Sequence, residues 1–327
     1  MSIEIKTSTL EPVRNTFANL QRRFGDKPAT RYQEATYDIQ PLVNFHYRPL
    51  WDQDRELTDA SRTALQMNDW YAFKDPRQFY YGTYVQQRAK MQENAENNYG
   101  FFEKRDLTRL LPETVKGQLI RFLVPLRHVE HTANLNNMYC SSYGFGTALT
   151  QAFLYNGMDR LGVAQYLSRI GLLLDGNTGE ALEEAKQLWM EAPYWQPLRK
   201  LCEEMLTTED WFELFIAQDV VMDSLVYDLF FEQYDAALTE QGAQDIGMLT
   251  EFMRDWAKDT NRWVDAVLKI AVAESDANKT LITGWIESWR GQVAEALSAV
   301  SREMLGEEAL NMALQNLDKR LAKAGIK

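Results

Sequence analysis

The sequence predicts an all-α fold, with long helices running antiparallel around a shared core. Three observations carry that expectation. Apolar residues recur every three or four positions from Glu56 almost to the C-terminus. Helix start and stop signals punctuate that pattern. No stretch shows the period-two alternation of a strand, and no convincing hairpin occurs. With 327 residues, 45% of them hydrophobic, the chain is long enough to bury a large core.

Residues 1–55 read differently from the rest. Four of the nine prolines lie here, at Pro12, Pro28, Pro41 and Pro49, and no helical period survives for long. The segment is still aromatic, with Phe17, Phe24, Tyr32, Tyr37, Phe45, Tyr47 and Trp51. Disordered tails carry few aromatics. The expectation is an arm, packed either on its own domain or, extended, on another subunit. Residues 56–327 are expected to form the helical domain.

Each helix of that domain has its own signal. Asp75-Pro76 supplies an N-cap and a first-turn proline, followed by the stripe Tyr80, Tyr84, Gln87, Met91, Ala95, Tyr99 and Phe102. Pro112 opens the next helix. Leu119, Phe122, Leu126, Val129 and Ala133 form one face of it, and Val124, His128, His131, Leu135 and Met138 the other, so it should be buried on both sides. Pro125 lies inside it and removes a backbone bond. A helix over about 156–174 stops at Asp175-Gly176-Asn177, and two shorter ones follow, separated near Pro193 and Pro197. Thr207-Thr208-Glu209-Asp210 opens a long helix with the stripe Trp211, Leu214, Phe215, Gln218, Met222, Leu225 and Leu229. Gln241-Gly242 ends it. Two further helices carry Met248, Phe252, Trp256, Trp263, Val267 and Ile270, then Ile282, Trp285, Trp289, Val293, Leu297 and Val300.

Composition excludes several functions. A formal charge of −12 disfavours nucleic acid or an anionic membrane surface as partner, because both select basic patches. No apolar run approaches the roughly 18 residues of a membrane span, and Met1 to Leu20 has no secretory pattern. Cys140 and Cys202 are the only cysteines and lack metal-ligand spacing, which points to a reducing cytoplasm.

The histidines decide the reading of the chemistry. There are three, His46, His128 and His131. A zinc site needs three or four ligands, and no cysteine or acidic cluster accompanies the 128/131 pair, so buried, hydrogen-bonded histidines are the better account. A Glu-x-x-His ending at any of the three fails, since Val43, Pro125 and His128 stand where the Glu would be. A di-iron helical bundle needs that motif twice. No Gly-x-Ser-x-Gly or triad signature occurs. Gly144-Phe145-Gly146 lacks the third glycine and the strand of a dinucleotide fold. The tryptophan stripe of Trp263, Trp285 and Trp289 reads as core or subunit interface.

The block Trp70-Tyr71-Ala72-Phe73-Lys74-Asp75-Pro76-Arg77, with Tyr80-Tyr81-Gly82-Thr83-Tyr84 and Gln86-Gln87-Arg88-Ala89-Lys90-Met91-Gln92, resembles the β subunit of bacterial multicomponent monooxygenase hydroxylases. The phenol hydroxylase branch is nearest and toluene monooxygenases next. The resemblance covers essentially the whole chain. It implies a ferritin-like helical bundle with extra helices and an extended N-terminal arm, in a cytoplasmic protein. It further implies that a partner α subunit holds the di-iron site, that a γ subunit completes an (αβγ)₂ hydroxylase, and that a small regulatory protein and a reductase join transiently. The reductase would supply FAD, a 2Fe–2S cluster and NADH, and the reaction would hydroxylate phenol to catechol with O₂.

For this chain the resemblance implies no catalytic, cofactor or metal residues, only degenerate ligand positions. His128-x-x-His131 matches one Glu-x-x-His with its Glu replaced. Asp245-Ile246-Gly247-Met248 matches the other, and Gln218 a lone Glu turned neutral. Buried carboxylates without metal carry a large desolvation cost, which favours such neutral replacements. The alternatives are a toluene monooxygenase β subunit, a stand-alone helical metalloenzyme using His128 and His131, and a plain helical interaction protein.

Overall fold

A computed structural model describes residues 18–41 and 48–326. Within the arm these form two short helices, α1 (Ala18–Phe24) and α2 (Arg31–Thr36), the second started by a capping box between Thr30 and Gln33. Leu20, Tyr32 and Tyr37 are buried together, with Phe24, Tyr71 and Tyr80 around them. The Tyr32 hydroxyl accepts the Asp75 N–H at 3.0 Å, and Gln40 Nε2 donates to the Gly144 carbonyl at 3.1 Å. Over 18–41 the arm is therefore folded against its own chain and not extended. Residues 1–17 and 42–47 of the arm, with Phe17, Phe45, His46 and Tyr47, fall outside the described residues, while Trp51 stands edge-on to Tyr143 at 5.2 Å.

Helix α3 (Tyr81–Lys104) starts later than Asp75-Pro76 suggests. Asp75 is buried, and both its oxygens are taken by Arg77, at 2.9 Å to Nε and 3.0 Å to Nη2. Oδ1 also accepts the Arg77 N–H at 2.9 Å, so Asp75 does start a turn, but Gln78 at φ +53° takes the chain out of it before a helix forms. The cap falls instead at Tyr80, whose N–H donates to the Thr83 hydroxyl at 3.1 Å. Next, α4 (Glu113–Gln118) widens into a π turn over Leu119–Leu123 before α5 (Leu126–Tyr143). Pro125 causes this break: it has no N–H for the Arg121 carbonyl, which takes the Trp195 indole N–H at 3.1 Å instead.

Helix α6 (Thr147–Leu174) returns antiparallel to α5 across a three-residue turn, and the two pack along their lengths. Gly157 permits the close approach. A Cβ there would lie 2.6 Å from Met138 Cε, and its carbonyl accepts Asn134 Nδ2 at 2.7 Å. After the turn at Gly176 and Asn177, both with positive φ, come α7 (Glu180–Glu191) and α8 (Gln196–Met205).

One helical run then spans 211–240. It comprises α9 (Trp211–Phe215), a π turn over Ile216–Met222, α10 (Asp223–Tyr227), a second π turn over Asp228–Gln233, and α11 (Tyr234–Glu240). It opens at the segment the sequence predicts, with Asp210 as its N-cap accepting the Phe212 and Glu213 N–H groups. Helix α12 (Ile246–Glu274) passes through Ser275 into α13 (Asp276–Leu305). Gly306, at φ +90°, separates a last helix, α14 (Glu308–Lys323), which the sequence reading did not resolve.

The centre of the fold is a four-helix bundle of α5, α6, the 211–240 run and α12. Helix α3 lies on α12, and α13 packs across α8, α12 and the 211–240 run. Phe153, Trp211, Phe215 and Trp263 interlock at one level of it, with centroid separations between 5.2 and 6.1 Å. The α5 face of His131, Leu135 and Met138 is not buried as the sequence pattern suggests: Leu135 is 42% exposed, as are Leu161 at 42% and Met158 at 46% on α6 beside it. No helix among the described residues is long and apolar enough to cross a membrane.

Candidate functional site

All four bundle helices send polar side chains to one buried point. Helix α5 contributes Glu130, Asn136 and Asn137, and α6 contributes Asn156, Asp159 and Arg160. The 211–240 run contributes Gln218, Asp219, Asp223 and Tyr227, and α12 contributes Trp256. At the middle sits the Arg160 guanidinium, 1% exposed. Its Nη1 is 3.2 Å from Glu130 Oε2, its Nη2 is 3.2 Å from Asp219 Oδ1, and Nη2 also pairs with Asp223. The face of the ion lies 4.5 Å from the Trp256 ring centroid.

Amides and a phenol complete the centre. Tyr227 donates its hydroxyl to Glu130 Oε1 at 2.9 Å. Asn136 Nδ2 donates to Gln218 Oε1 at 2.9 Å, and Gln218 Nε2 donates to Asp223 Oδ1 at 2.9 Å. Asn156 Nδ2 donates to Asp219 Oδ1 at 2.7 Å. Asp219 Oδ2, Asn136 Oδ1, Asn156 Oδ1 and Arg160 Nε are buried without a partner. A second ionic cluster adjoins. Arg88 on α3 pairs with Asp159 at 2.9 Å and Asp259 at 3.2 Å, while the Tyr84 hydroxyl and the Trp256 indole both donate to Asp159 at 2.9 Å. This ties the Tyr80–Met91 stripe to α6 and α12.

One guanidinium cannot balance three ionised carboxylates in a dry interior. Burial accordingly pushes Glu130 above its ordinary value. Burial, and then the charge of Asp223, push Asp219 up to about 7. A raised carboxyl pKa means that the folded chain holds a proton the unfolded chain releases. That contribution is complete below about pH 4 and is lost as pH rises through about 7. Asp219→Asn keeps the acceptor on Oδ1 and removes the titration. Between pH 5 and 8 it is expected to gain roughly 1–3 kcal/mol relative to the native chain, at about 1.4 kcal/mol per pKa unit. Urea unfolding at both values checks this, and an unchanged difference between the two proteins would refute it.

Of the degenerate ligand positions, only Gln218 belongs to this centre. His128 is half-buried on the far face of α5, stacked on Trp189 at 5.6 Å, and accepts from Arg127 Nε at 3.4 Å. Burial, then the Arg127 charge, lower it to about 4. His131 is exposed, and both histidines line an open surface groove with Arg127, Leu161 and Arg169. Asp245 precedes α12 at its N-terminal end, and Met248 is half-buried with its carbonyl accepting Asn98 Nδ2 at 3.1 Å. The 128/131 register is therefore one helix face away from the inward-pointing positions Glu130, Ala133 and Asn137. Sequence reasoning missed Glu130, Arg160, Asp219 and Asp223, although a signal existed. Asn156 and Arg160 stand in phase with the buried stripe Leu149, Phe153, Val163, Leu167 and Ile170.

A bundle of this kind raises the question of a di-iron centre, whose ligands are four carboxylates and two histidines. The residues present do not fit one. A guanidinium stands among the acids, and His128 and His131 face outward. Among the described residues no group of three or more His, Cys, Asp or Glu is arranged to hold a metal ion.

The four helices and their convergent buried centre define a ferritin-like helical protein. A family model described as Methane/Phenol/Alkene Hydroxylase matches residues 51–275, and the chain belongs to that family. It is 53% identical over 326 residues to the phenol 2-monooxygenase oxygenase component MhpL of Acinetobacter pittii (strain PHEA-2), covering 100% of this chain and 98% of that one. It is 27% identical over 257 residues to the toluene-4-monooxygenase hydroxylase component subunit beta of Ectopseudomonas mendocina, covering 76% and 77%. A xenon-pressurised phenol hydroxylase structure from Pseudomonas sp. OX1 superposes with a TM-score of 0.93 at 51% identity, over 99% of each chain.

Proposed function

We propose that this chain is the non-catalytic β subunit of a phenol-hydroxylating di-iron monooxygenase, supporting a larger α subunit that carries the iron. One observation carries the reading: the point where the four helices converge is filled by Arg160 and its three carboxylates. That set offers no open coordination position and no redox group. The α subunit would convert phenol to catechol with O₂. Electrons would come from NADH through a reductase holding FAD and a 2Fe–2S cluster, with a γ subunit and a regulatory protein completing the (αβγ)₂ system in the cytoplasm.

The relatives support a role as a component, since one is an oxygenase component and another a hydroxylase subunit beta. The higher identity to the phenol enzyme favours phenol over toluene. Exposed apolar side chains support a large partner: Leu135, Leu154, Met158 and Leu161 crowd one face of α5 and α6, and Leu50 in the arm is 87% exposed. A metalloenzyme built on His128 and His131 has their outward placement against it.

The test is recovery of the tagged chain from its own host, with native mass spectrometry and metal analysis. The expected result is an assembly with two other chains, its iron confined to the largest. Stoichiometric iron in this chain alone would overturn the reading. Deleting residues 1–50 is expected to weaken that assembly and to leave the iron content per α subunit unchanged, as judged by sedimentation velocity.

A further inference from the structure

We propose that the outer face of α5 and α6 is a groove that docks an amphipathic helix of a partner chain, one carrying an acidic side chain to meet Arg127. The inference rests on the reading of this chain as a subunit, and it names the surface and the chemistry by which the chain is held. Helices α5 and α6 lie side by side and antiparallel. On α6, Leu154, Met158, Leu161, Gln165, Ser168 and Leu172 follow one another at alternating intervals of four and three residues. On α5, His128, His131, Leu135 and Met138 repeat that spacing beside them. The first four of the α6 set are exposed, with His131 and Leu135, whereas Phe153, Val163 and Leu167 on the inward side of α6 fill the core. A seam with this spacing is what another helix packs against, anchored at the same intervals. Left in water, it is an exposed apolar patch with no use in the chain's own packing.

Charge fixes the kind of partner. An open groove of about 380 Å³ runs along the Arg127 end of this face, and Arg127, His128, His131 and Arg169 line it with no carboxylate among the described residues. Arg169 is already paired toward α3, with Glu96 at 2.8 Å and Glu103 at 3.3 Å. Half-buried Arg127 is different. It donates to the Leu182 carbonyl at 2.7 Å and to His128 Nε2 at 3.4 Å, and it forms no ion pair among the described residues. A guanidinium in that position, beside an apolar strip, suits a single carboxylate held in its donor fork. A second copy of this chain placed face to face offers none, because neither seam holds an acid.

The full chain is produced in its own host with Leu161 replaced by the photo-cross-linker p-benzoylphenylalanine, and the cross-linked peptide is sequenced by mass spectrometry from the purified assembly. The expected peptide belongs to another chain, has apolar residues at three- and four-residue intervals, and holds an Asp or Glu. Arg127→Glu is expected to weaken retention of that chain by about tenfold or more, and changing the partner's acid to Arg is expected to restore it. Met312→Asp, at a comparably exposed apolar residue of α14, is expected to change nothing. The cross-link needs no change of charge, so it decides the matter even if Arg127→Glu fails to fold. A cross-link only to a second copy of this chain, no cross-link, or a partner peptide without an acid overturns the proposal. If the cross-linked assembly holds no iron, the groove stands and the oxygenase reading fails. If an iron-bearing assembly forms without the cross-link, the oxygenase reading stands and the groove fails.

Discussion

Arg160→Met is expected to lower stability by about 3–5 kcal/mol, the cost of leaving a buried charge without its counterpart. The reason is an asymmetry. Forming a buried ion cluster yields little net stabilisation, because desolvation of each ion opposes the attraction between them. Deleting one partner removes the attraction and leaves the desolvation, here of three carboxylates at once. Exposed pairs have no such asymmetry. Arg290–Asp318, at 2.9 Å but with both side chains more than a third exposed, should cost at most about 1 kcal/mol when broken. The combination Arg160→Met with Glu130→Gln, Asp219→Asn and Asp223→Asn should recover most of the loss. Urea unfolding of the full chain measures all three against the native chain. A single Arg160→Met variant as stable as the native chain would contradict the account.

Trp263→Ala is expected to cost a similar ~3–5 kcal/mol, by a different route. Trp263 is fully buried and stands edge-on to Phe153 at 5.2 Å and tilted against Phe215 at 5.8 Å. The Arg77 guanidinium lies over its other side, 5.4 Å from the centroid. Truncation would leave a void that rigid aromatic neighbours cannot collapse into. Its indole nitrogen has no hydrogen-bond partner. Trp263→Phe therefore loses no polar interaction and should cost well under half as much as Trp263→Ala. Thermal and urea denaturation of the two variants test the ratio. Equal losses would mean that the indole N–H matters more than the packed area.

What the sequence made legible was whatever is decided locally. Asp210 caps its helix through Oδ1, which accepts the Phe212 and Glu213 N–H groups, while Oδ2 is left to accept the Ala64 N–H at 2.7 Å. Asn177 and Gly242 stand where the chain needs positive φ, and their residue types announce it. Asp75 accepts the Arg77 N–H in the same local way but starts only a turn, because Gln78 at φ +53° takes the chain out of the helical path. The π turns of 211–240 were not legible, since widening a helical turn depends on packing from several neighbours. The buried centre was half legible. The histidine spacing points to 128 and 131, which lie on the outer face, whereas Arg160 is the charged residue in phase with a buried apolar stripe. Its partners on α5 and 211–240 meet it only once the helices are packed.

The central cluster also limits the order in which the chain can change. Glu130, Arg160, Asp219 and Asp223 form one electrostatic unit, so a substitution at any one of them alters the cost of substituting the others. Neutralising one acid leaves Arg160 with two counter-charges, whereas losing the arginine strands three carboxylates and losing the last acid strands the guanidinium itself. A path out of this arrangement therefore runs through single acids first and ends with the arginine and its last partner changing together.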